Sequence, residues 1–341
     1  MIFPWPYDQT CFPHPIDIAI AGASGMVGQR LLRLCEPLSW IKNVVLLGSD
    51  RRIGHPLSAH QWRDGPTIPQ RFAHLSFESM DHGACPIVLS CLPASAAMEW
   101  EPLWRQRGCH VFSNASAFRQ DPSVPLVVPD ANKHHLVKLL PQQSSGKLVC
   151  NPNCSVAGMV PLLGLFKQHM GSPASLSIVT LQSASGAGSP GVPSTDIMGN
   201  TIPDIEGEGD KIQLELRKML ELPDQVLISV TTHRVPVIYG HAATLHIRQS
   251  VPFKASDVAN WIATHNQSVW PTFVTHTQRT RPQILRDLAD NDMRIHVGPI
   301  TMDHDNHGCH VTILSHNLVR GAAGALLWNL STSIQMGLLT T

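Results

Sequence analysis

Residues 16–34 read IDIAIAGASGMVGQRLLRL, in which an apolar strand-like run is followed by a glycine-rich turn and an amphipathic stretch. Gly22, Gly25 and Gly28 form a GxxGxxG variant of the dinucleotide fingerprint. Glycine allows a tight turn and a close approach to a pyrophosphate, whose charge then faces the free N–H groups at the helix N-terminus. A tight turn without a ligand is the alternative, but its position after the first strand favours a cofactor site.

The end of the next strand bears on which dinucleotide binds. The run VVLLGSDRRIG at residues 44–54 offers Ser49, Arg51 and Arg52 where an NAD site presents an acid to the ribose 2′-hydroxyl. This favours the 2′-phosphate of NADP(H). Asp50 could instead contact a hydroxyl or pair with a neighbouring arginine, and the arginines could belong to a solvated loop. We predict NADP(H) as the cofactor.

The order of apolar runs predicts two domains. From residue 17 onward, short β-branched runs alternate with amphipathic stretches, which indicates βαβ units and a parallel sheet. After residue 147, longer strand-like runs separated by irregular segments indicate an α+β domain with a mixed sheet. We therefore expect an α/β, Rossmann-type dinucleotide-binding domain over residues 1–150, completed by a C-terminal helix over 318–341, and a second domain over 151–317.

Composition excludes several classes of function. The formal net charge of the 341 residues is zero, so no overall field attracts nucleic acid or an anionic membrane. No stretch approaches the roughly 20 apolar residues of a membrane-spanning helix. The eight cysteines show neither CxxC pairs nor disulfide-rich density, which predicts reduced thiols in the cytoplasm. Residues 1–15 lack a signal-peptide pattern and are expected to form an irregular arm.

One cysteine stands where a nucleophile would be activated. The run CNPNCSVAGMVPLL at residues 150–163 places Cys154 at the start of a predicted helix, directly after Pro152 and Asn153. Free N–H groups and the helix dipole favour a thiolate there, lower the thiol pKa and offer donors to an oxyanion. Cysteines are more often buried and inert, and we interpret the other seven in that way.

The chain resembles the aspartate-β-semialdehyde dehydrogenase family over nearly its whole length after the first fifteen residues. The matching segments, in the family's order, are GASGMVGQ (22–29), SNASAFRQDPSVPLVVPDAN (113–132), NPNCSVAG (151–158), QSASGAGSPGVPS (182–194), GEGDKI (207–212), HRVPVIYGH (233–241) and SHNLVRGAAG (315–324). The resemblance implies NADPH-dependent reduction of aspartyl phosphate to aspartate semialdehyde, for lysine, threonine and methionine biosynthesis. It also implies that 151–317 is a catalytic and dimerisation domain, in a homodimer or a dimer of dimers.

The resemblance assigns a role to each matching residue. The catalytic positions are Cys154 as nucleophile, His241 as general acid/base, Gln182 orienting the acyl group, and Asn153 assisting at the phosphate or oxyanion. Substrate is bound by Arg234 at the α-carboxylate, Glu208 at the α-ammonium, and Lys211 and Arg119 at the phosphate. Cofactor contacts are expected at Gly22, Ser24, Gly25, Met26, Val27, Gly28, Ser49, Arg51, Arg52, Ser185, Gly186 and Asn317.

The residue types support these roles independently. An acyl phosphate that also carries a carboxylate and an ammonium group requires cations for two anions, one acid and a soft nucleophile. The thiolate attacks the acyl carbon, phosphate departs, and hydride from NADPH converts the thioester to a hemithioacetal that collapses to the aldehyde. A histidine suits proton transfer in that step because its unperturbed pKa is about 6.5.

Four departures from the family's pattern bear on substrate affinity. Gly209 stands where a second acid is common, Ser189 replaces an aromatic residue, His233 replaces a polar amide, and PDAN at residues 129–132 stands for PEVN.

A separate HxxHxxH spacing, at His304, His307 and His310 near Asp303, Asp305 and Cys309, matches no ligand pattern with a supported mechanism. We interpret it as a solvated loop and assign no metal.

Two other functions remain open from the residues. An N-acetyl-γ-glutamyl-phosphate reductase shares the thioacyl chemistry on a substrate one methylene longer, but its acylated nitrogen needs no acid partner, so Glu208 argues for the aspartyl substrate. A non-catalytic paralogue would keep the fold for binding or regulation. Such proteins commonly lose the cysteine or the histidine, and this chain retains both Cys154 and His241.

Overall fold

The computed structural model describes residues 14–82, 85–140, 146–188, 190–268, 270 and 272–339. Most of the arm expected over residues 1–15, and Ser189, therefore lie outside the described residues. The chain divides into two compact units. The first comprises Met1–Pro129, Lys133–Pro152 and Ala322–Thr341, and the second comprises Asp130–Asn132 and Asn153–Gly321.

Strands and helices occur throughout the described residues, and most of the longest strands follow residue 150. The strands are β1 (Ile16–Ala21), β2 (Ile41–Gly48), β3 (Phe77–Ser79), β4 (Ile87–Ser90), β5 (His110–Ser113), β6 (Leu148–Cys150), β7 (Ser175–Ser183), β8 (Ile202–Pro203), β9 (Leu227–Val235), β10 (His241–Arg248), β11 (Phe273–Thr275), β12 (Ile295–Val297), β13 (Thr301–Met302) and β14 (Gly308–Ser315). The α-helices are α1 (Met26–Cys35), α2 (Ala94–Gln106), α3 (Pro129–Asn132), α4 (Cys154–Met170), α5 (Ser194–Ile197), α6 (Glu208–Leu220), α7 (Ala255–Ser268), α8 (Ile284–Asp287) and α9 (Gly324–Gln335).

A six-stranded sheet in the order β3-β2-β1-β4-β5-β6 forms the first unit, and its neighbouring strands pair in parallel. The central strands are buried because helical crossovers cover a parallel sheet on both faces. This topology confirms the predicted Rossmann-type fold. Helix α9 belongs to the same unit, where the Asn329 amide donates to the carbonyl of Val127 at 3.1 Å and to Asn151 Oδ1 at 2.7 Å.

The glycine turn connects β1 to α1, as predicted. A Cβ at Gly28 would lie 2.3 Å from the carbonyl oxygen of Gly22, and a Cβ at Gly22, whose φ is +80°, would lie 2.7 Å from the carbonyl oxygen of Cys91. Any larger side chain would displace backbone at either position. The turn thus requires glycine at both places so that α1 can begin against the end of β1.

The second unit contains a mixed sheet in the order β11-β12-β14-β10-β7-β9-β8, with β13 paired to β14. Strands β7 and β9 are parallel, whereas β10 is antiparallel to both β7 and β14. This arrangement confirms the predicted α+β class. Helix α4 packs against β10 and β14, and a Cβ at Gly158 would lie 2.4 Å from Ser315 Oγ. Helix α4, which carries Cys154, therefore lies close to strand β14 at Gly158.

One departure from the family pattern has a structural role. Asp130, in PDAN, forms an ion pair with Arg320 at 2.6 Å, and both side chains are fully buried. Arg320 also donates from Nε to the carbonyl of Ala157, in the second turn of α4. The aspartate therefore reaches Arg320, and both residues lie in the second unit.

None of the helices in the described ranges combines the length and apolar character needed to cross a bilayer.

Candidate active site

The site is built around the N-terminus of α4. Cys154 is the first residue of this helix, which confirms the predicted helix start, and Asn153 is its N-cap. The Asn153 side chain accepts a hydrogen bond from the N–H of Ser155 at 2.8 Å. Cys154 is of intermediate exposure, as is Cys91, whereas Cys35, Cys85, Cys109, Cys150 and Cys309 are buried as expected and Cys11 lies outside the described residues. The thiol is thus both accessible and at the positive end of a helix.

Strand register brings three side chains to the same edge of the mixed sheet. Parallel strands β7 and β9 end at Ser183 and Val235, with Gln182 paired to Arg234, and antiparallel β10 begins at this edge with His241. Residues at the ends of neighbouring parallel strands, and at the start of an antiparallel one, lie side by side. Gln182, Arg234 and His241 are all buried there.

His241 faces the cysteine directly. Its Nε2 lies 3.1 Å from Cys154 Sγ, while its Nδ1 accepts the backbone N–H of Ser183 at 3.0 Å. A nitrogen that accepts an N–H carries no proton, so the hydrogen-bond network assigns the proton of the neutral imidazole to Nε2. The Nε2–H group therefore points at the sulfur, and at any oxyanion that forms beside it.

Burial keeps this imidazole neutral. Burial, and then the positive charge of Arg234, lower the pKa of His241 to about 3. Beside the neutral thiol, the imidazole is accordingly uncharged at neutral pH. The permanent cation of the site is Arg234: burial lowers its pKa, and the charges of Cys154 and Glu208 act to raise it. Arg234 therefore supplies the positive charge that favours a thiolate.

The turn that follows β7 packs tightly on the same groups. Arg234 donates from Nη1 to the carbonyl of Ser183 at 2.9 Å. A Cβ at Gly186 would lie 2.8 Å from Arg234 Nη1 and 3.0 Å from His241 Cε1. Because a side chain at residue 186 would collide with Arg234 and His241, this position requires glycine. Its predicted contact with the cofactor stays a prediction.

Asn317 connects two segments next to His241. Its amide donates to Ser185 Oγ at 2.9 Å and accepts the N–H of Gly240 at 2.9 Å. Ser185 Oγ in turn lies 3.2 Å from Ser183 Oγ. Asn317 therefore holds the residue before His241 against the turn after β7. Contacts of Asn317 and Ser185 with the nicotinamide stay predictions.

One face of α6 meets the cysteine helix. Glu208 Oε1 accepts a hydrogen bond from Asn153 Nδ2 at 2.6 Å, and Lys211 Nζ lies 4.0 Å from Glu208 Oε2. Sequence reasoning missed a third member, Glu215, which is fully buried and accepts the backbone N–H of Asn153. The available signal was spacing, since residues 208, 211 and 215 share one face of a helix.

The remaining predicted residues lie in the first unit. Ser24, Gly25, Met26 and Val27 form the turn and the first residues of α1, whose first turn contains no acid. Ser49 precedes the 3-10 segment Asp50–Arg52, and in the part of the chain that the structure describes Asp50 makes no ion pair with Arg51 or Arg52. Arg119 is buried and donates from Nη2 to the carbonyl of Asn114 at 2.7 Å.

A histidine cluster lies elsewhere in the second unit. His246 Nε2 is 2.9 Å from Asp303 Oδ2, and His310 Nδ1 is 3.9 Å from Asp303 Oδ1. Arg248 donates to the same Oδ2 at 2.9 Å and also binds Asp305. An arginine thus already balances the acids, and His310 is the only member of the HxxHxxH spacing that joins this cluster among the described residues.

Gly321 is a second residue whose role the sequence did not reveal. It lies in the π-helical segment Val319–Ala323, and a Cβ there would lie 2.6 Å from Cys154 Cβ and 2.8 Å from Cys154 Cα. The matched segment SHNLVRGAAG therefore supplies a glycine that allows backbone to approach the cysteine. No side chain can occupy this position without displacing Cys154.

Gly321→Ala should misplace the sulfur. Because displacements of about 1 Å in an active site cost on the order of 100-fold in rate, we expect a loss of that size in turnover, together with slower alkylation of Cys154 by iodoacetamide. Gly164→Ala is the matched control, since its methyl group would lie 3.9 Å from the nearest atom. Wild-type alkylation by a folded Gly321→Ala variant would contradict the packing argument.

His241 should make stability depend on pH. The unfolded imidazole, with a pKa near 6.5, binds a proton at higher pH than the folded one, whose pKa is about 3. Below pH 6.5 the unfolded state therefore binds more protons, and the unfolding free energy falls by up to about 1.4 kcal/mol per pH unit from this residue.

The measurement is urea unfolding of wild type and His241→Gln at pH 7, 6, 5 and 4. The difference between the two proteins cancels the other histidines. The variant should gain relative stability as pH falls, whereas a constant difference would show that His241 titrates in the folded protein as it does in the unfolded chain.

The chain is similar to known proteins along most of its length. Residues 17–139 match the family model "Semialdehyde dehydrogenase, NAD binding domain", and residues 162–320 match "Semialdehyde dehydrogenase, dimerisation domain". An aspartate-semialdehyde dehydrogenase of Archaeoglobus fulgidus is 34% identical, over 93% of this chain and 98% of its own length. One from Schizosaccharomyces pombe is 33% identical, over 94% of this chain and 99% of its own.

Solved structures agree with the sequence matches. The crystal structure of aspartate semialdehyde dehydrogenase with NADP from Candida albicans has a TM-score of 0.85 and 28% identity, and the match covers 95% of this chain and all (100%) of that one.

Proposed function

The chain belongs to the aspartate-semialdehyde dehydrogenase family, and we propose that Cys154 is the nucleophile that carries the acyl group in its reaction. The protein is an NADP-dependent enzyme that converts L-aspartyl-4-phosphate to L-aspartate-4-semialdehyde and phosphate, in lysine, threonine and methionine biosynthesis. The observation that carries the proposal is the 3.1 Å distance between Cys154 Sγ and His241 Nε2 at the start of α4.

In this proposal the two units have different functions. The first unit binds NADP(H), and the second is the catalytic and dimerisation domain. The glycine turn fits a pyrophosphate, because a Cβ is excluded at Gly28 and no acid stands in the first turn of α1. Arg51 and Arg52 beside Ser49 fit the 2′-phosphate. When bound, the cofactor supplies the hydride that reduces the thioester.

The thiolate is the attacking species. The positive end of helix α4 and the guanidinium of Arg234 favour the anion. Of the acid/base role that the resemblance implies for His241, the proton on Nε2 favours the acid, and in this proposal the thiol proton leaves to solvent before the attack. A nucleophile of this kind requires a free thiol, and we place the enzyme in the cytoplasm, where thiols stay reduced.

His241 stabilises the oxyanion in both halves of the reaction. Attack of Sγ on the acyl carbon moves an electron pair onto the carbonyl oxygen, and the Nε2–H donates to that oxygen. Collapse forms the thioester and expels phosphate, which takes up the one proton that the reaction consumes. After reduction of the thioester the same oxygen again carries negative charge, and its collapse releases the aldehyde and restores the thiolate.

Substrate contacts follow from the charges around the sulfur. Arg234, whose fork is fixed by the carbonyl of Ser183, binds the α-carboxylate, and Glu208 binds the α-ammonium. Gln182 orients the acyl group from the neighbouring strand, and Asn153 contributes at the oxyanion. Lys211, which is half-exposed, and Arg119 are the phosphate ligands of the proposal.

The test is phosphate-dependent reduction of NADP by aspartate semialdehyde, followed by nicotinamide absorbance. Cys154→Ala should abolish turnover because no other group can form the thioester, whereas Cys309→Ala, which removes a buried cysteine of the same unit, should retain it. N-acetylglutamate semialdehyde, one methylene longer, should react poorly. Near-normal turnover by Cys154→Ala would refute the mechanism, and preference for the longer aldehyde would reassign the substrate.

We further propose a homodimer that forms through the exposed face of the mixed sheet. Val179 and Leu181 on β7 are 39% and 41% exposed, and Leu227 on β9 is 72% exposed. Strand register places all three on the same face, because Ser175 pairs with Leu227 and β7 alternates between faces. An apolar sheet face of this kind is expected to be covered by another chain.

Leu181→Glu should dissociate this dimer, because the charge would be buried in the interface. Leu285→Glu is the control, since Leu285 is 94% exposed on the short helix α8. The measurement is the mass of each protein by sedimentation equilibrium, which also distinguishes a dimer from a dimer of dimers. A wild-type monomer, or a Leu181→Glu variant that remains fully dimeric, would rule out this interface.

A further inference from the structure

Glu215 is a buried acid to which the proposed mechanism assigns no role. Its side chain is fully buried in α6, among Ile212, Leu216 and Met219 of the same buried helix face. Burial of a carboxylate is costly unless it accepts strong hydrogen bonds. This carboxylate accepts the backbone N–H of Asn153, the residue that directly precedes the nucleophile.

Each polar group of Asn153 forms a hydrogen bond. Its N–H donates to Glu215, its Oδ1 accepts from the N–H of Ser155 at 2.8 Å, and its Nδ2 donates to Glu208 at 2.6 Å. Its carbonyl accepts the N–H of Ala157 at 3.0 Å. Two of these contacts come from acids two turns apart on α6. These hydrogen bonds therefore define the orientation of the peptide before Cys154.

We propose that Glu215 is a positioning residue for the nucleophile: its carboxylate fixes the Asn153 peptide so that the Cys154 sulfur faces Nε2 of His241. The inference rests on the proposed role of Cys154. Helix α6 then carries both the substrate acid Glu208 and the residue that orients the sulfur. Through Asn153, the α-ammonium site and the nucleophile form one rigid arrangement.

The hydrogen bond and the charge of Glu215 have separable effects. The bond orients the peptide, whereas the negative charge near the start of α4 opposes formation of a thiolate there. Glu215→Gln keeps an oxygen that can accept from Asn153 and removes the charge. Glu215→Ala removes both. The two variants thus distinguish positioning from an electrostatic effect.

The experiment measures iodoacetamide alkylation of Cys154 against pH, located by peptide mass spectrometry, together with kcat and KM for aspartate semialdehyde. Glu215→Ala should lose on the order of 100-fold in kcat with a smaller change in KM, because the sulfur is misplaced. Glu215→Gln should retain most of its kcat, and its alkylation profile should move to lower pH. Glu221→Gln, at the exposed end of α6, is the control and should match wild type.

Alkylation needs no substrate, so this test stands apart from the activity assay. An inactive wild type would refute the proposed function and leave the alkylation comparison valid. A folded Glu215→Ala variant with wild-type alkylation and kcat would overturn the inference, as would a variant that only unfolds more easily. If Glu215→Ala does not fold, Glu215→Met, which fills the space but cannot accept from the N–H of Asn153, replaces it, and wild-type alkylation and kcat in that variant would overturn the inference.

Discussion

The hydrogen bond from the backbone N–H of Ser183 to Nδ1 of His241 sets the chemistry of the site. It leaves the imidazole proton on Nε2, 3.1 Å from Cys154 Sγ. Burial beside Arg234 then keeps the ring neutral. The neutral histidine is therefore a hydrogen-bond donor, and Arg234 provides the permanent positive charge of the site.

Sheet topology makes that hydrogen bond possible. Ser183 ends β7, His241 begins antiparallel β10, and Arg234 stands near the end of parallel β9. One sheet edge therefore supplies the donor, the cation and the amide that tunes the histidine. Helix α4 brings the sulfur to the same edge, and two close backbone approaches, at Gly158 and Gly321, allow the helix to lie there.

Much of this arrangement could be predicted from sequence. The glycine turn of residues 22–28 and the helix start at Cys154 are local signals, because backbone geometry and capping decide them within a few residues. The resemblance identified His241, Arg234 and Glu208 through short motifs that lie far apart in the chain. Alternation of apolar runs separated the parallel sheet from the mixed sheet.

What the sequence could not indicate depends on tertiary contact. Glu215 looks like a solvated residue of an amphipathic helix until the fold brings it to the N–H of Asn153. Gly321 stands in a helical run, where nothing local demands glycine, and the requirement comes from Cys154. The protonation of His241 follows from a backbone donor 58 positions away in the chain. Sequence patterns identify reactive side chains, and packing determines their chemical state.

The central claim is that Cys154 carries the acyl group, and trapping that intermediate tests it most directly. Enzyme incubated with aspartate semialdehyde and NADP in the absence of phosphate would be quenched in acid and analysed by peptide mass spectrometry. The account predicts one aspartyl group on the peptide containing Cys154, discharged when phosphate is added before the quench. An adduct on another residue, or NADPH formation without any adduct, would contradict it.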